Sequence, residues 1–199
     1  MLEISLTDFV DFVISSGTPR VTKVRDLKYR PAYDPRFDFW KPLREAIEDF
    51  HKTGRPLQWL QQRATGQTDR KKQARYPAAF EGYERFLGHR SMAWFKPPAA
   101  PWSQSGVSVK VNPELGLKIN GVPHVLKLYF KADKLSKNKV DVITHLMEVS
   151  LSQIAPKQAA MGIVDVPRGK LITPTVQVSG VAALLAGEAA ALATMWAQV

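Results

Sequence analysis

The chain has 199 residues, a formal net charge of +10 and no cysteine. That length fits one domain and buries a large core without staples, and the lack of thiols excludes disulfides, thiolate metal sites and cysteine nucleophiles. The cation excess attracts polyanions, whether nucleic acid, an acidic protein or an anionic membrane surface.

The opening "MLEISLTDFVDFVISSG" carries acids and no basic n-region, so it is not read as a signal peptide and a cytoplasmic location is expected. Within it, Leu6, Phe9, Val10 and Val13 recur at helical spacing over 5–16, with Ser5 or Thr7 as cap and Gly17 as stop. Segment 18–40 is basic and alternating. Its "RVTKV" is expected to form a strand, kept short by Pro31 and Pro35. Leu43, Ile47 and Phe50 make one stripe of a helix over 41–53, closed by Gly54. "PLQWLQQRA" (56–64) predicts a short helix with Pro56 near its first turn. "TGQTDRKKQAR" reads as a mobile polar loop, and a further helix is expected over 77–88. "MAWFKPPAAPWSQSG" (92–106) reads as an ordered connector whose aromatic rings need burial.

From residue 107 the period falls to two. "VSVKV", "LGLKI" and "VLKLYF" predict three strands of an antiparallel meander, and Asn120-Gly121 suits a tight hairpin turn. A helix follows over 139–154, with Val140, Ile143, Met147, Leu151 and Ile154 on its core face. "MGIVDV" and "KLITPTV", separated by "PRG", predict two more strands. The last helix, over 179–197, is read as docked on the sheet rather than membrane-spanning, because Glu188 interrupts it and alanine dominates. The expected fold is α+β. A mainly helical part, 1–105, packs on the same core as a βββαββα region, 106–199, whose mixed sheet is flanked by helices.

"NPELGLKINGVPHVLKLYFK" (112–131) carries the chemistry of interest. Pro113-Glu114 opens one strand, and Lys127 stands inside the next among apolar neighbours. Together with the order of elements, these residues resemble the PD-(D/E)XK nuclease-like superfamily, whose core runs α-β-β-β-α-β. The resemblance implies a restriction-endonuclease-like fold that engages nucleic acid, DNA or RNA. It also implies Mg²⁺ or Mn²⁺ if the chain is catalytic. Glu114 would then bind metal and Lys127 would assist the attacking water. The triplet Val125-Leu126-Lys127 has the lysine of the family motif but not its acid. The resemblance therefore requires the missing ligand from elsewhere, with Asp141 and Glu148 on the following helix as candidates and Glu81 or Glu84 as substitutes. Hard oxygen ligands of this kind hold a divalent cation that acidifies a bound water. The alternative for Glu114 is a turn residue paired with Lys110 or Lys118, and for Lys127 a side chain snorkelling from a wet face.

Basic side chains gather in three segments: Arg70, Lys71, Lys72 and Arg75; Lys131, Lys134, Lys137 and Lys139; and the series from Arg20 to Arg30. Each could contact phosphates or simply be solvated. If they diverge, the expected alternative is a non-catalytic basic protein with an acidic protein partner. His51, His89, His124 and His145 lack zinc-ligand spacing, and no phosphate-loop or nucleophile-elbow motif occurs.

Overall fold

The computed structural model describes residues 1–174 and 178–199. Strand β1 (Leu2–Ser5) leads directly into helix α1 (Leu6–Val13), whose first turn is capped by the Ser5 hydroxyl accepting the Asp8 N–H at 3.1 Å. Helix α2 (Thr18–Lys28) occupies the segment expected as a strand. Pro19 presets the φ of its first turn, and Val24 is fully buried. Two cationic side chains of α2 find tertiary partners. Arg20 lies 4.0 Å from the centroid of the Phe12 ring and pairs with Glu188, and the Lys28 ammonium donates to the Trp196 carbonyl at 2.8 Å. Such contacts outweigh a local alternation that carries little intrinsic preference.

Helices α3 (Lys41–Thr53) and α4 (Leu57–Thr65) fall where the periodicity predicts. Helix α5 (Arg70–Leu87) begins seven residues before its expected start at 77, inside the segment read as a mobile loop. The Asp69 carboxylate explains the start, because it accepts the N–H groups of Lys71 (2.8 Å) and Lys72 (3.1 Å). Pro77 lies inside the helix, at a cost of about 3 kcal/mol for a lost bond and a steric clash. Burial of Tyr76, Ala79, Phe80, Tyr83 and Phe86 on one side offsets it.

The expected connector 92–106 contains two strands, β2 (Met92–Phe95) and β3 (Ala100–Gln104). Proline in β3 is tolerated because the strand is an edge. Then come β4 (Val107–Val111), β5 (Leu115–Ile119), β6 (Val122–Tyr129), α6 (Lys137–Leu151), β7 (Ala160–Asp165), β8 (Lys170–Ile172) and α7 (Val181–Gln198). The β5–β6 hairpin turns at Asn120-Gly121, both with positive φ. The three-strand meander does not form. β4 instead joins a three-stranded sheet ordered β1-β4-β3, in which β1 runs parallel to it with Leu2 beside Val107. The strand expected over 170–176 ends at Ile172, and residues 175–177 lie outside the described ones. Ile154, expected in the core, lies beyond α6 and is 57% exposed.

The chain is thus α+β. Its larger sheet is ordered β2-β5-β6-β7-β8, with β6 and β7 parallel and joined through α6. Because successive side chains alternate faces, Leu126, Leu128 and Val164 pack with α3, α4 and α5. On the other face Val125, Met161 and Ile163 pack with the smaller sheet and with α1, α6 and α7. The N-terminal helices therefore serve both sides of the larger sheet. Helix α7 is long and apolar enough, by length and composition, to cross a membrane; here Leu185, Ala189 and Leu192 are fully buried in the protein core.

Two glycines fix how α5 meets the sheet. A Cβ on Gly82 would overlap the Val166 carbonyl oxygen, so only glycine lets α5 lie on the 3₁₀ turn Val166–Arg168. Gly169, at φ 63°, reverses the chain there and brings its own Cα beside Arg85 and Phe86.

Candidate nucleic-acid interface

Glu114 and Lys127 meet. Glu114 sits one step beyond the Leu115–Leu126 pair of the β5–β6 ladder, so its side chain is directly opposite Lys127 on the same sheet face. One carboxylate oxygen accepts from the Lys127 ammonium, and the other accepts the Leu128 N–H at 2.8 Å. Both side chains are about 15% exposed, at 14% for Glu114 and 15% for Lys127. Neither Lys110 nor Lys118 takes the Glu114 partnership; Lys110 pairs with Glu3 at 2.6 Å. Nor does Lys127 lie on a wet face.

The ion pair forms the floor of a groove of about 920 Å³ between the start of the chain and α3. Its walls carry both signs: Arg30 with Asp8 (3.0 Å), Arg44 with Asp38 (2.8 Å), Lys41 with Glu45 (3.4 Å) and Lys110 with Glu3. Burial works against the Arg44 charge, but Asp38, and then Glu114, hold its pKa above the ordinary value. Lined by matched pairs, this groove has little field to offer a polyanion.

Asp141 and Glu148 lie elsewhere. They line a small cavity of about 130 Å³ with Thr144 and His145, on the far side of α6 from the groove. Asp141 is engaged by Lys137 at 2.7 Å. Burial lowers the His145 pKa, opposed by Glu148. Among the described residues no group of three or more His, Cys, Asp or Glu side chains is placed to share a metal ion. A two-carboxylate Mg²⁺ or Mn²⁺ site needs ligand oxygens converging within about 2.0–2.6 Å of one point. Glu114, with both oxygens committed and Asp141 and Glu148 in another cavity, does not fit that requirement.

The basic segments partly converge. Lys71 and Arg75 on α5, and Lys131 after β6, line one cleft of about 690 Å³, joined by Arg85. On a helix, positions 71, 75, 78 and 85 share one face, so Lys71, Arg75 and Arg85 form an exposed stripe on the side opposite Tyr76, Phe80 and Tyr83. Arg85 is anchored by donating to the Pro167 carbonyl at 2.9 Å. Two carboxylates, Glu81 and Asp133, temper the charge. Lys131 reaches away to Asp11 at 2.7 Å and contributes mainly its stem. Arg70 and Lys72 stand on the same first turn of α5 but do not line the cleft, and Lys134 is exposed on the loop. Lys137 and Lys139 turn to Asp141 and Asp11. The Arg20–Arg30 series does not line the cleft: Arg20 pairs with Glu188 and Arg30 with Asp8, while Lys23 donates to the carbonyl of Asp11 at 3.2 Å, on the residue whose carboxylate Lys131 and Lys139 reach.

The floor of the cleft is aromatic. Trp40 lies nearly parallel to Tyr76 (5.4 Å between ring centroids, 16°) and to Phe130 (4.8 Å, 17°). Phe39 stands at 88° to Trp40, and the two half-buried rings make an apolar corner. The Tyr76 hydroxyl, its pKa pushed up to about 12 chiefly by burial, donates to the Phe39 carbonyl and pins the corner.

No protein-family model, curated protein or solved structure matches this chain. Sequence reasoning missed Phe39, Phe130 and Arg85. Trp40, like Trp59, Trp94, Trp102 and Trp196, could stack a base but reads first as core, and the one available signal, an aromatic pair directly before α3, gave no hint that β6 would deliver Phe130 beside it.

Proposed function

We propose that this protein binds nucleic acid in the cleft between α5 and the loop after β6. The observation that carries the reading is the stripe Lys71, Arg75 and Arg85 along one wall, above the aromatic floor of Phe39, Trp40 and Phe130. Cations on a fixed helix neutralise phosphates and release counterions, and a half-buried ring at the edge of the cleft, Phe39, can accept a base. An acidic protein would use the cations but leave the rings idle. Phosphodiester hydrolysis at Glu114 and Lys127 is not part of the reading, because no converging ligand set accompanies them. What supports the nuclease-like resemblance is the succession α5, β2, β5, β6, α6, β7, once β3 and β4 are set aside as members of the other sheet.

The test is fluorescence anisotropy with labelled DNA and RNA oligonucleotides and the full chain. Binding that weakens about tenfold or more in the double variant K71E/R75E, with unchanged circular dichroism, is expected. An undiminished affinity in that variant, or no binding by wild type, overturns the reading. Equal displacement of the oligonucleotide by polyglutamate would turn it toward an acidic protein partner.

A further inference from the structure

We infer that the ligand of this cleft is a single strand, held with at least one base out of its stack; the inference rests on the nucleic-acid reading above. A duplex shows a protein mainly phosphates and sugars on its outside and keeps its base faces covered. Such a ligand would meet Lys71, Arg75 and Arg85 but could not enter a recess of about 690 Å³ whose apolar lining includes Phe39, Trp40 and Phe130. An unstacked base can. Its flat apolar face suits the Phe39 ring, which stands at 88° to Trp40 and is not stacked in parallel on another ring, and stacking of this kind contributes about 1–3 kcal/mol per base. The geometry is also fixed in advance. Trp40 is locked against Tyr76 and Phe130, and Gly82 seats α5 directly on the Val166–Arg168 turn, so the Trp40 ring and the backbone that carries the cations need no ordering on binding. The cations follow the backbone while the corner takes a base. Nothing in the lining offers paired donors and acceptors at the depth of the rings, so tolerance of different bases is expected.

The experiment compares three probes of about twelve nucleotides on the wild-type chain: an oligothymidylate strand, the same strand paired with its complement, and an abasic sugar-phosphate strand of equal charge. The thymidylate strand is expected to bind about tenfold or more tightly than either of the others. The variant F39A is expected to lower affinity for the thymidylate strand while leaving the abasic strand unchanged. Equal binding of strand and duplex, or of strand and abasic strand, overturns this inference and leaves the nucleic-acid reading standing. Failure of all three probes to bind removes that reading itself. The abasic comparison needs no substitution, so a misfolded variant cannot obscure the answer.

Discussion

The Glu114 carboxylate is shared between the Lys127 ammonium and the backbone N–H of Leu128, so one acid ties both the side chain and the main chain of β6 to the entrance of β5. Breaking such a pair leaves a charge in a poorly hydrated place, which costs more than the pair contributes. E114Q is therefore expected to destabilise the fold by about 3 kcal/mol, the low end for buried pairs because both groups keep some solvent contact. E114L/K127M should recover most of the loss. Urea midpoints at constant m-value measure both. If E114Q is neutral, the pair is ornamental.

Ionic strength offers a second check. Each phosphate neutralised contributes about 0.7–0.9 to the slope of log affinity against log salt. Replacing Lys71 and Arg75 by alanine should lower that slope by about 1.5, whereas alanine at Lys137, which faces Asp141, should leave it alone. Chelation of divalent ions by EDTA should not change binding, since the cleft contacts are made by side-chain cations.

Gly82 supplies the sharpest steric test. G82A puts a methyl group onto the Val166 carbonyl oxygen, a Cβ against backbone, where no rotamer change relieves it. A loss of about 3 kcal/mol or more is expected, together with weaker nucleic-acid binding as α5 lifts from the Pro167 turn. A neutral G82A would mean that α5 does not sit where described.

Acid should act through His51. Burial lowers its pKa from 6.5 to about 4, with its Nε2 2.6 Å from the Tyr83 hydroxyl. The group is neutral when folded and takes up a proton more readily when unfolded. Its contribution to stability is thus complete above pH 6.5 and is lost as the pH falls from there toward 4. The full effect is about 3 kcal/mol. H51Q should flatten the pH dependence of the urea midpoint in that window; an unchanged profile would rule His51 out.

The legible parts of the fold were those set by local chemistry. The stripe of α3, the Asn120-Gly121 hairpin and the alternation of β4, β5 and β6 follow from nearest neighbours, and so does the meeting of Glu114 with Lys127, a register consequence of that hairpin. What failed depended on distant partners. β4 alternates as a meander strand should, yet nothing local says that residues 2–5 will claim it. Segment 18–28 alternates too, and becomes helix because α1 and α7 are there to receive it. Asp141 and Glu148 are correctly helical, but the facing of a helix across a sheet is a tertiary fact, and α6 turns them to a different cavity from Glu114. The cleft was half visible. Its cations stood out as runs, while Phe130 lies far along the chain from the adjacent Phe39 and Trp40 and joins them only in the folded core.

The parallel pairing of Leu2 with Val107 also bears on synthesis. Residues 2–5 have no ladder to join until roughly a hundred further residues have emerged from the ribosome. Until then β1 is an unpaired ribbon tethered to α1, and the small sheet cannot close before Val111 is available. Nascent chains halted before residue 107 should accordingly leave residues 2–5 open to protease.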